Sequence, residues 1–488
     1  MSKGQSNVLV IISDEHRKDA MGCVGHPIVK TPNLDALARY GTLFKNAYTP
    51  SPMCVPTRAS IATGEYVHKI GYWDSASPYD GKVKSWMHHL RDNKIQTVSI
   101  GKLHFRSNKD DNGFSEEILP MHVVGGVGWP VGLLRSNPPL YEAVAELAAD
   151  VGVGNSSYTD YDLDITEKAE KWLHSKAEAT SPWAAFVSLV SPHYPLTCPE
   201  DYFNMYDPKE IDLPIGYRER ALPAHSELKN IKCFYNYDKY FDEKKMREAK
   251  AAYYGLTSFM DNCVGKILGA LEASGQAKNT VVLYISDHGD MLGDQGFWTK
   301  QVMYEQSAGV PMIISGPGVP KGRTVETGTS LIDLASTALE VTGVDDCDYS
   351  QDLPGVSLRK LANADDDLDR TILSEYHDGG STTGTFMIRW QNWKYIYYVG
   401  HPPQLFNLKT DPDELSDLAM MRPNDPSVTQ ILEEGERRLR KICDPEAVNE
   451  KCFADQTAKI RSLGGEEACL NAFRFSHTPT PSEQAKLI

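Results

Sequence analysis

The segment Cys54-Val-Pro-Thr-Arg58 places a thiol, a proline and a cation within about one turn of a predicted helix. Proline is favoured in the first turn of a helix, where the backbone N–H groups lack partners within the helix. Those N–H groups and the guanidinium of Arg58 would both favour an anion beside Cys54. The segment therefore predicts a binding site for an oxyanion, with a buried, inert cysteine beside a loop proline as the alternative.

Carboxylates and a histidine follow two predicted buried strands. Asp14 and Glu15 follow the first of these strands, and Asp287 and His288 follow a much later one. Because the carboxyl ends of parallel strands meet at one edge of a sheet, these side chains are expected to lie close together. Hard oxygen ligands with one imidazole suit Ca²⁺, Mg²⁺ or Mn²⁺ better than Zn²⁺. The alternative is that each Ser-Asp pair only caps the helix that follows its strand.

Further cations follow the ends of predicted strands. Lys102 and His104 end one strand, where the alternation of side chains places both on the same side. His193 ends another strand, and Lys300 lies a short distance after Asp287. With 50 Lys and Arg against 66 Asp and Glu, the chain carries a formal charge of −16 and repels nucleic acid and other anions in general. An anionic substrate can bind only where such cations cluster.

The elements that must position these residues alternate between apolar, β-branched runs and amphipathic stretches. The predicted strands cover residues 7–12, 97–100, 184–190, 280–285 and 311–314, and the predicted helices cover residues 31–41, 165–176, 243–273 and 331–341. Strands separated by helices predict an α/β fold with a mostly parallel central sheet sandwiched by helices.

Composition predicts two domains. Residues 1–365 form the predicted catalytic domain, with insertions near 123–157 and 192–223 that could cap a pocket. Closely spaced aromatic strands at 372–376, 385–389 and 393–399 predict a smaller C-terminal α+β subdomain with an antiparallel sheet, which with the tail covers residues 366–488. The aromatic tail at 472–481 could dock on a second copy, which makes a homo-oligomer a possible partner.

The cellular location of the protein is predicted from sequence features that are missing. The N-terminus has no signal-peptide pattern, and no apolar run approaches the roughly 20 residues that span a bilayer. The nine cysteines are scattered and form no Cys-x-x-Cys pair, which argues against a disulfide framework and against a thiolate zinc site. We expect a cytoplasmic protein with no membrane partner and no nucleic-acid partner.

Taken together and in order, the motifs resemble a type I, formylglycine-dependent sulfatase of the alkaline phosphatase superfamily, close to the choline-sulfatase-like and phosphonate monoester hydrolase branch. The resemblance covers most of the chain and implies an alkaline-phosphatase-like fold. The motifs that carry it are Cys54-Val-Pro-Thr-Arg58, Gly101-Lys102-Leu-His104, Pro192-His193-Tyr-Pro195, Asp287-His288-Gly289, Lys300 and Gln404-Leu-Phe-Asn-Leu-Lys-Thr-Asp-Pro-Asp-Glu414.

The resemblance implies that a formylglycine-generating enzyme converts Cys54 to Cα-formylglycine. The hydrated aldehyde, a geminal diol, would be both nucleophile and metal ligand. The resemblance implies one divalent metal, Ca²⁺ or alternatively Mn²⁺, whose other ligands would be Asp14, Glu15, Asp287 and His288.

The resemblance also implies roles for the cations and histidines in the hydrolysis of aryl or alkyl sulfate monoesters through a covalent sulfo-enzyme. Arg58 would steady the diol, and Lys102 and Lys300 would bind the sulfate oxygens. His193 would assist the departing alcohol, and His104 would take a proton as the covalent sulfate ester collapses.

The chain departs from the family pattern at several positions. Glu15 stands where many sulfatases have a second Asp, Glu65 where many have Arg, and His288 where many have Asn. Asp74 lies near a polar contact that the phosphonate enzymes supply. A phosphonate monoester or phosphodiester hydrolase using the same site is therefore one alternative, and a binding protein with an unmodified Cys54 is another.

Overall fold

The computed structural model describes residues 5–218, 222–344, 348–472 and 477–484. In chain order its strands are β1 (Asn7–Asp14), β2 (Thr42–Phe44), β3 (Ala47–Tyr48), β4 (Gln96–Lys102), β5 (Glu116–Met121), β6 (Val151–Val153), β7 (Trp183–Pro192), β8 (Leu196–Cys198), β9 (Thr280–Ser286), β10 (Met312–Ser315), β11 (Arg323–Val325), β12 (Thr329–Ser330), β13 (Ile372–Tyr376), β14 (Thr385–Trp390), β15 (Trp393–Tyr398) and β16 (Gln404–Asn407).

The α-helices surround these strands and fill the C-terminal region. They are α1 (Pro32–Arg39), α2 (Cys54–Thr63), α3 (Val67–Ile70), α4 (Trp86–Asp92), α5 (Val144–Ala149), α6 (Ser157–His174), α7 (Glu200–Phe203), α8 (Ser226–Tyr235), α9 (Glu243–Ala273), α10 (Glu305–Ala308), α11 (Asp333–Thr342), α12 (Asp348–Asp352), α13 (Leu358–Asn363), α14 (Leu418–Met421), α15 (Pro426–Ile442), α16 (Pro445–Ser462), α17 (Glu466–Leu470) and α18 (Pro481–Gln484). Short 3₁₀ turns lie at Gly22–Val24, Val124–Gly126, Pro130–Leu133, Pro208–Glu210, Tyr237–Lys239, Ala277–Asn279 and Asp294–Gly296.

The largest sheet has the strand order β11-β2-β10-β9-β1-β7-β4-β5. Strands β9, β1, β7, β4 and β5 run parallel to one another, whereas β10 is antiparallel to both of its neighbours. The fold is therefore the predicted α/β fold with a mostly parallel sheet. The carboxyl ends of β1, β7, β4 and β9 meet at one edge.

Strand β1 is buried on both faces, and its alternating side chains enter two different cores. Val8, Val10 and Ile12 pack in the core that includes α2, α4 and α11. Leu9 and Ile11 pack in the opposite core, which includes α1, α6 and α9. A continuous apolar run is what a strand covered by helices on both faces requires.

The C-terminal region contains the predicted antiparallel sheet. Its strand order is β13-β14-β15-β16, and each neighbouring pair is antiparallel. Helix α15 covers one face, where Val428 and Leu439 pack with Phe386 and Ile388 of the sheet. Strand β16 and the long helices α15 and α16 were not among the sequence-predicted elements. The predicted boundary near residue 365 stays a prediction.

The two predicted insertions contact each other. Strand β6 of the first pairs in parallel with β8 of the second. Of the predicted tail, residues 473–476 lie outside the described residues, and so do the aromatic rings that we expected to dock on a second copy. The following segment, residues 477–484, lies against its own chain.

Among the described residues, no helix combines the length and the apolar character that crossing a bilayer requires.

Substitution of Gly101, which directly precedes Lys102, tests how closely β4 approaches β7 near the candidate site. Its φ is +102°, and an added Cβ would lie 2.2 Å from the carbonyl oxygen of Ser188 in β7. We expect Gly101→Ala to lower the free energy of unfolding by about 2 kcal/mol or more, because backbone strain at a positive φ and steric overlap of the new Cβ with Ser188 both destabilise the folded state. Denaturant unfolding measures this change.

Gly269 provides the matched control for that substitution. It lies inside α9, and an added Cβ would meet no atom within 4 Å. Gly269→Ala should therefore raise the free energy of unfolding by roughly 0.5–1 kcal/mol. Equal effects of the two substitutions would contradict the argument.

Candidate active site

Cys54 is the first residue of α2, as the sequence predicts, and every residue of this helix is buried. Its Sγ lies 3.0 Å from Nε2 of His288 and 3.7 Å from Oδ1 of Asp14. Burial, and secondarily the charge of Asp14, raises the pKa of the Cys54 thiol to about 12. Two carboxylates hold the guanidinium of Arg58, and the expectation that Arg58 also favours an anion at this sulfur stays a prediction.

Arg58 is a buried clamp between the ends of two strands. Its Nη2 donates to Oδ2 of Asp14 at 3.1 Å, and its Nε donates to Oδ2 of Asp287 at 2.9 Å. Its Nη1 donates to the carbonyl oxygen of Lys102 at 2.8 Å and to Oγ of Ser188 at 3.0 Å. One guanidinium therefore fixes the carboxyl ends of β1 and β4, the residue after β9 and the middle of β7 relative to one another.

Asp14 remains ionised although it is fully buried. Lys102 forms an ion pair with Oδ2 of Asp14, and both side chains are inaccessible to solvent. Burial opposes ionisation, but the surrounding positive charges, led by Lys102, outweigh it and hold the pKa of Asp14 well below its ordinary value. A buried charge of this kind persists only when it is paired.

His288 is oriented by its backbone neighbour. Its Nδ1 lies 3.0 Å from the carbonyl oxygen of Gly289, and because a carbonyl can only accept, Nδ1 carries the proton. Nε2 then faces Sγ of Cys54, with Oδ1 of Asp14 at 3.8 Å and Oδ1 of Asp287 at 3.7 Å. An imidazole whose other nitrogen is held by a backbone carbonyl is a typical metal ligand.

The ligand atoms fit a divalent cation. One atom each from Asp14, Cys54, Asp287 and His288 lies within 4.8 Å of the others. Glu15 lies in a neighbouring group with Asp14 and His193, and its Oε1 has no hydrogen-bond partner among the described residues. Carboxylate oxygens with one imidazole match the predicted hard-cation site. Whether Glu15 is a ligand stays a prediction.

The side chains of His193 and Lys300 contact each other beside the carboxylate of Glu15. Nζ of Lys300 lies 3.2 Å from Oε2 of Glu15 and 3.0 Å from Nε2 of His193. The carbonyl oxygen of Tyr194 accepts from Nδ1 of His193 at 2.6 Å, so Nε2 of this ring accepts the ammonium proton of Lys300. Burial, followed by the charge of Lys300, holds the pKa of His193 well below its ordinary value. Although burial alone would lower the pKa of Lys300, the negative groups around it raise that pKa well above its ordinary value.

His104 lies at the end of β4 in a left-handed conformation, with φ +56°. It is buried, and burial together with Lys102 holds its pKa well below the ordinary value, so the ring is neutral. Its Nε2 lies 2.9 Å from Oγ1 of Thr478.

A pocket opens above these groups. Cys54, His104, His193 and Lys300 line its polar end. Its walls are mostly apolar and aromatic, and they include Val123, Val124, Trp129, Tyr141, Val144, Leu147, Tyr194, Tyr235 and Tyr237. Its volume, including the open mouth, is about 900 Å³. The insertion at 123–157 supplies much of this wall, and the insertion at 192–223 contributes His193 and Tyr194.

The sequence was compared with known families and proteins. Residues 6–344 match the family model described as Sulfatase, and residues 293–443 match the model described as N-sulphoglucosamine sulphohydrolase, C-terminal. The chain belongs to the sulfatase family. This sulfatase is 31% identical over 436 residues to the choline-sulfatase of Rhizobium meliloti (strain 1021), covering 86% of this chain and 83% of that protein. It is 29% identical over 442 residues to arylsulfatase K of Homo sapiens, covering 86% and 79%.

Solved structures share the fold of this sulfatase. The phosphonate monoester hydrolase of Agrobacterium radiobacter superposes with a TM-score of 0.70 and 23% identity, covering 90% of this chain and 95% of that one. A protein solved in complex with its substrate D-glucosamine-2-N,6-O-disulfate superposes with a TM-score of 0.69 and 22% identity, covering 90% and 99%. At these identities the likeness concerns the fold alone.

The structure brings all the sequence-predicted site residues of this sulfatase to one edge of the sheet. These are Asp14, Glu15, Cys54, Arg58, Lys102, His104, His193, Asp287, His288 and Lys300. Asp74 lies behind the wall of the pocket instead, where Oδ2 accepts from Gln456 of α16. Ser188 and Thr478 were missed, because a serine inside a strand and a threonine in a tail carry no local signal.

The raised pKa of Cys54 gives a test. In protein whose Cys54 is still a thiol, we expect iodoacetamide at about pH 8 to modify Cys54 at least tenfold more slowly than the exposed Cys233, since little thiolate of Cys54 is present. Peptide mass analysis over time gives both rates. Unfolding in urea should bring the two rates together, and equal rates in the folded protein would contradict the geometry.

Proposed function

We propose that this sulfatase hydrolyses sulfate monoesters of small aryl or alkyl alcohols, with residue 54 as the hydrated formylglycine nucleophile. The observation that carries the proposal is the position of Cys54. It begins a buried helix among two carboxylates and a histidine, and it lines the same pocket as Lys300. An unmodified thiol with a pKa near 12 is a weak nucleophile at neutral pH, which favours conversion of Cys54 by a formylglycine-generating enzyme.

A divalent cation fits beside residue 54. Asp14, Asp287, His288 and residue 54 would hold it, with Glu15 as a further ligand, and the hard donor set favours Ca²⁺ with Mn²⁺ as the alternative. When bound, such a cation supplies Lewis-acid stabilisation and lowers the pKa of a coordinated hydroxyl.

Lys102 and Lys300 bind the non-bridging sulfate oxygens. In the transition state negative charge spreads over these oxygens, so fixed cations in a buried site stabilise it more than the ground state. Lys300 lines the pocket and lies 3.2 Å from Oε2 of Glu15. These local cations allow an anion to bind in spite of the overall charge of −16.

One hydroxyl of residue 54 attacks sulfur. The attacking hydroxyl gives its proton to the carboxylate of Asp14, whose Oδ1 lies 3.7 Å from Sγ of Cys54. A new O–S bond forms, the S–O bond to the alcohol breaks, and the alcohol takes the proton that Lys300 and His193 hold between Nζ and Nε2. Arg58, which fixes Asp14 and Asp287, keeps the surrounding carboxylates in place. The second hydroxyl then gives its proton to His104, the C–O bond to sulfate breaks, and the aldehyde re-forms.

The pocket walls favour an uncharged, apolar or aromatic alcohol. Trp129, Tyr141, Tyr235 and Tyr237 can stack on a ring or an alkyl group, as apolar and aromatic linings commonly do. A phosphonate monoester or phosphodiester is the second candidate, because the same cations suit any tetrahedral oxyanion.

Substitution of the nucleophile and of one sulfate-binding cation tests the proposal. We expect Cys54→Ala to abolish turnover of an aryl sulfate and Lys102→Ala to lower kcat/KM at least about 100-fold, because each removes a group that stabilises the transition state. Lys45→Ala, at an exposed lysine paired with Glu326, is the control and should change kcat/KM less than twofold.

The substrate panel for that test contains aryl sulfates, choline sulfate and phenylphosphonate monoesters. A higher kcat/KM for the phosphonate monoesters than for the sulfate esters would favour a phosphonate hydrolase over a sulfate ester hydrolase. Full activity of Cys54→Ala, or an unmodified thiol in the peptide of fully active protein, would overturn the formylglycine mechanism.

Metal binding can be measured through thermal stability, independently of enzymatic activity. After chelator treatment, added Ca²⁺ or Mn²⁺ should raise Tm, since a ligand at about 100 times its Kd stabilises by roughly 2.7 kcal/mol. His288→Ala should lose most of this shift. His16→Ala, which removes another buried histidine bonded to Tyr284 and Ala20, should keep it. Equal shifts in the two variants would exclude His288 as a ligand.

A further inference from the structure

The segment after the undescribed stretch 473–476 lies on the catalytic pocket of its own chain. The hydroxyl of Thr478 is 2.9 Å from Nε2 of His104. The carbonyl oxygen of Thr478 accepts from the hydroxyl of Tyr158 at 2.8 Å, and Nε2 of Gln484 donates to the carbonyl oxygen of His122 at 3.1 Å. His477 and Thr478 also form part of the pocket wall.

The backbone of His104 and its ring are held by different groups. The backbone N–H donates to the carbonyl oxygen of Met121 at 2.8 Å, which fixes the chain after β4 but leaves the side-chain torsions free. On the ring, Nε2 contacts Thr478, whereas Nδ1 is buried and has no hydrogen-bond partner among the described residues. The ring lines the same pocket as Cys54.

We infer that Thr478 is a positioning residue for His104. This inference rests on the proposed function. With the Nε2 proton donated to the hydroxyl of Thr478, Nδ1 keeps its lone pair for the reaction. The sulfated diol then gives its remaining hydroxyl proton to Nδ1, the C–O bond to sulfate breaks, and the C=O bond of the aldehyde forms. Loss of the hydroxyl releases the ring and slows this second step, while the attack on sulfur is unaffected.

The inference makes a kinetic prediction that a purely structural role does not. When collapse of the sulfated enzyme becomes rate-limiting, kcat and KM fall by the same factor and kcat/KM is unchanged. The sulfated enzyme then accumulates, and the first turnover appears as a burst of alcohol. A tail that only stabilised the pocket would instead lower kcat/KM and give no burst.

The experiment compares Thr478→Val, which is nearly isosteric, with Thr478→Ser, which keeps the hydroxyl. For Thr478→Val acting on an aryl sulfate, we expect kcat and KM each to fall at least about tenfold, with a burst close to one alcohol per active site. Intact-peptide mass analysis of quenched enzyme should show sulfate on the segment that holds residue 54. Thr478→Ser should restore kcat to within about threefold of the wild type.

Thr480→Val is the matched control in the same segment. The hydroxyl of Thr480 contacts Glu483 and Ser482, and no contact with His104 is formed. Its kcat and KM should stay within about twofold of the wild type.

Two outcomes for Thr478→Val would overturn the inference: kinetics like those of Thr480→Val, or a fall in kcat/KM without a burst. Either leaves the proposed function intact, provided that the wild type hydrolyses sulfate esters. A wild type with an aldehyde at residue 54 and no sulfatase activity would refute both.

Discussion

The clamp of Arg58 on Asp14 and Asp287 is the interaction on which the site depends. Both carboxylates and the guanidinium are buried, and each would be costly to leave without a partner. The clamp is also geometric, because the partners of Arg58 belong to or follow four strands of one sheet. The short cysteine motif therefore places Cys54 in the pocket and holds together the strands that surround it.

The C-terminal sheet supports the loop that carries Lys300. Lys394 of β15 is buried and donates to the carbonyl oxygen of Met303 at 2.9 Å, and it pairs with Glu305 at 2.6 Å and Glu414 at 2.8 Å. The backbone N–H of Glu305 donates to Glu414 at 2.6 Å. Charges from the antiparallel sheet and from the loop after it thus fix the segment that follows Lys300. These contacts link the smaller sheet to the candidate site.

The sequence predicted the parts of the molecule that depend on local pattern. The apolar run of β1 and the limits of α9, with Asp242 as N-cap, follow from burial periodicity and capping chemistry. The residues of the candidate site were predicted to lie together because strand ends converge in a parallel sheet, and the structure brings them together. The contact between Thr478 and His104 spans most of the chain, and no local rule specifies it. Helix α16 was missed because its apolar residues are sparse and few are buried.

The complete burial of α2 has a consequence for the proposed conversion of Cys54 to formylglycine. In the folded chain no surface of residues 54–63 is open to a second protein. Under that proposal, the modifying enzyme has to reach this stretch while it is still extended, before β1 and β9 close around it. Maturation and folding then compete in time, and a chain that folds first keeps its sulfur.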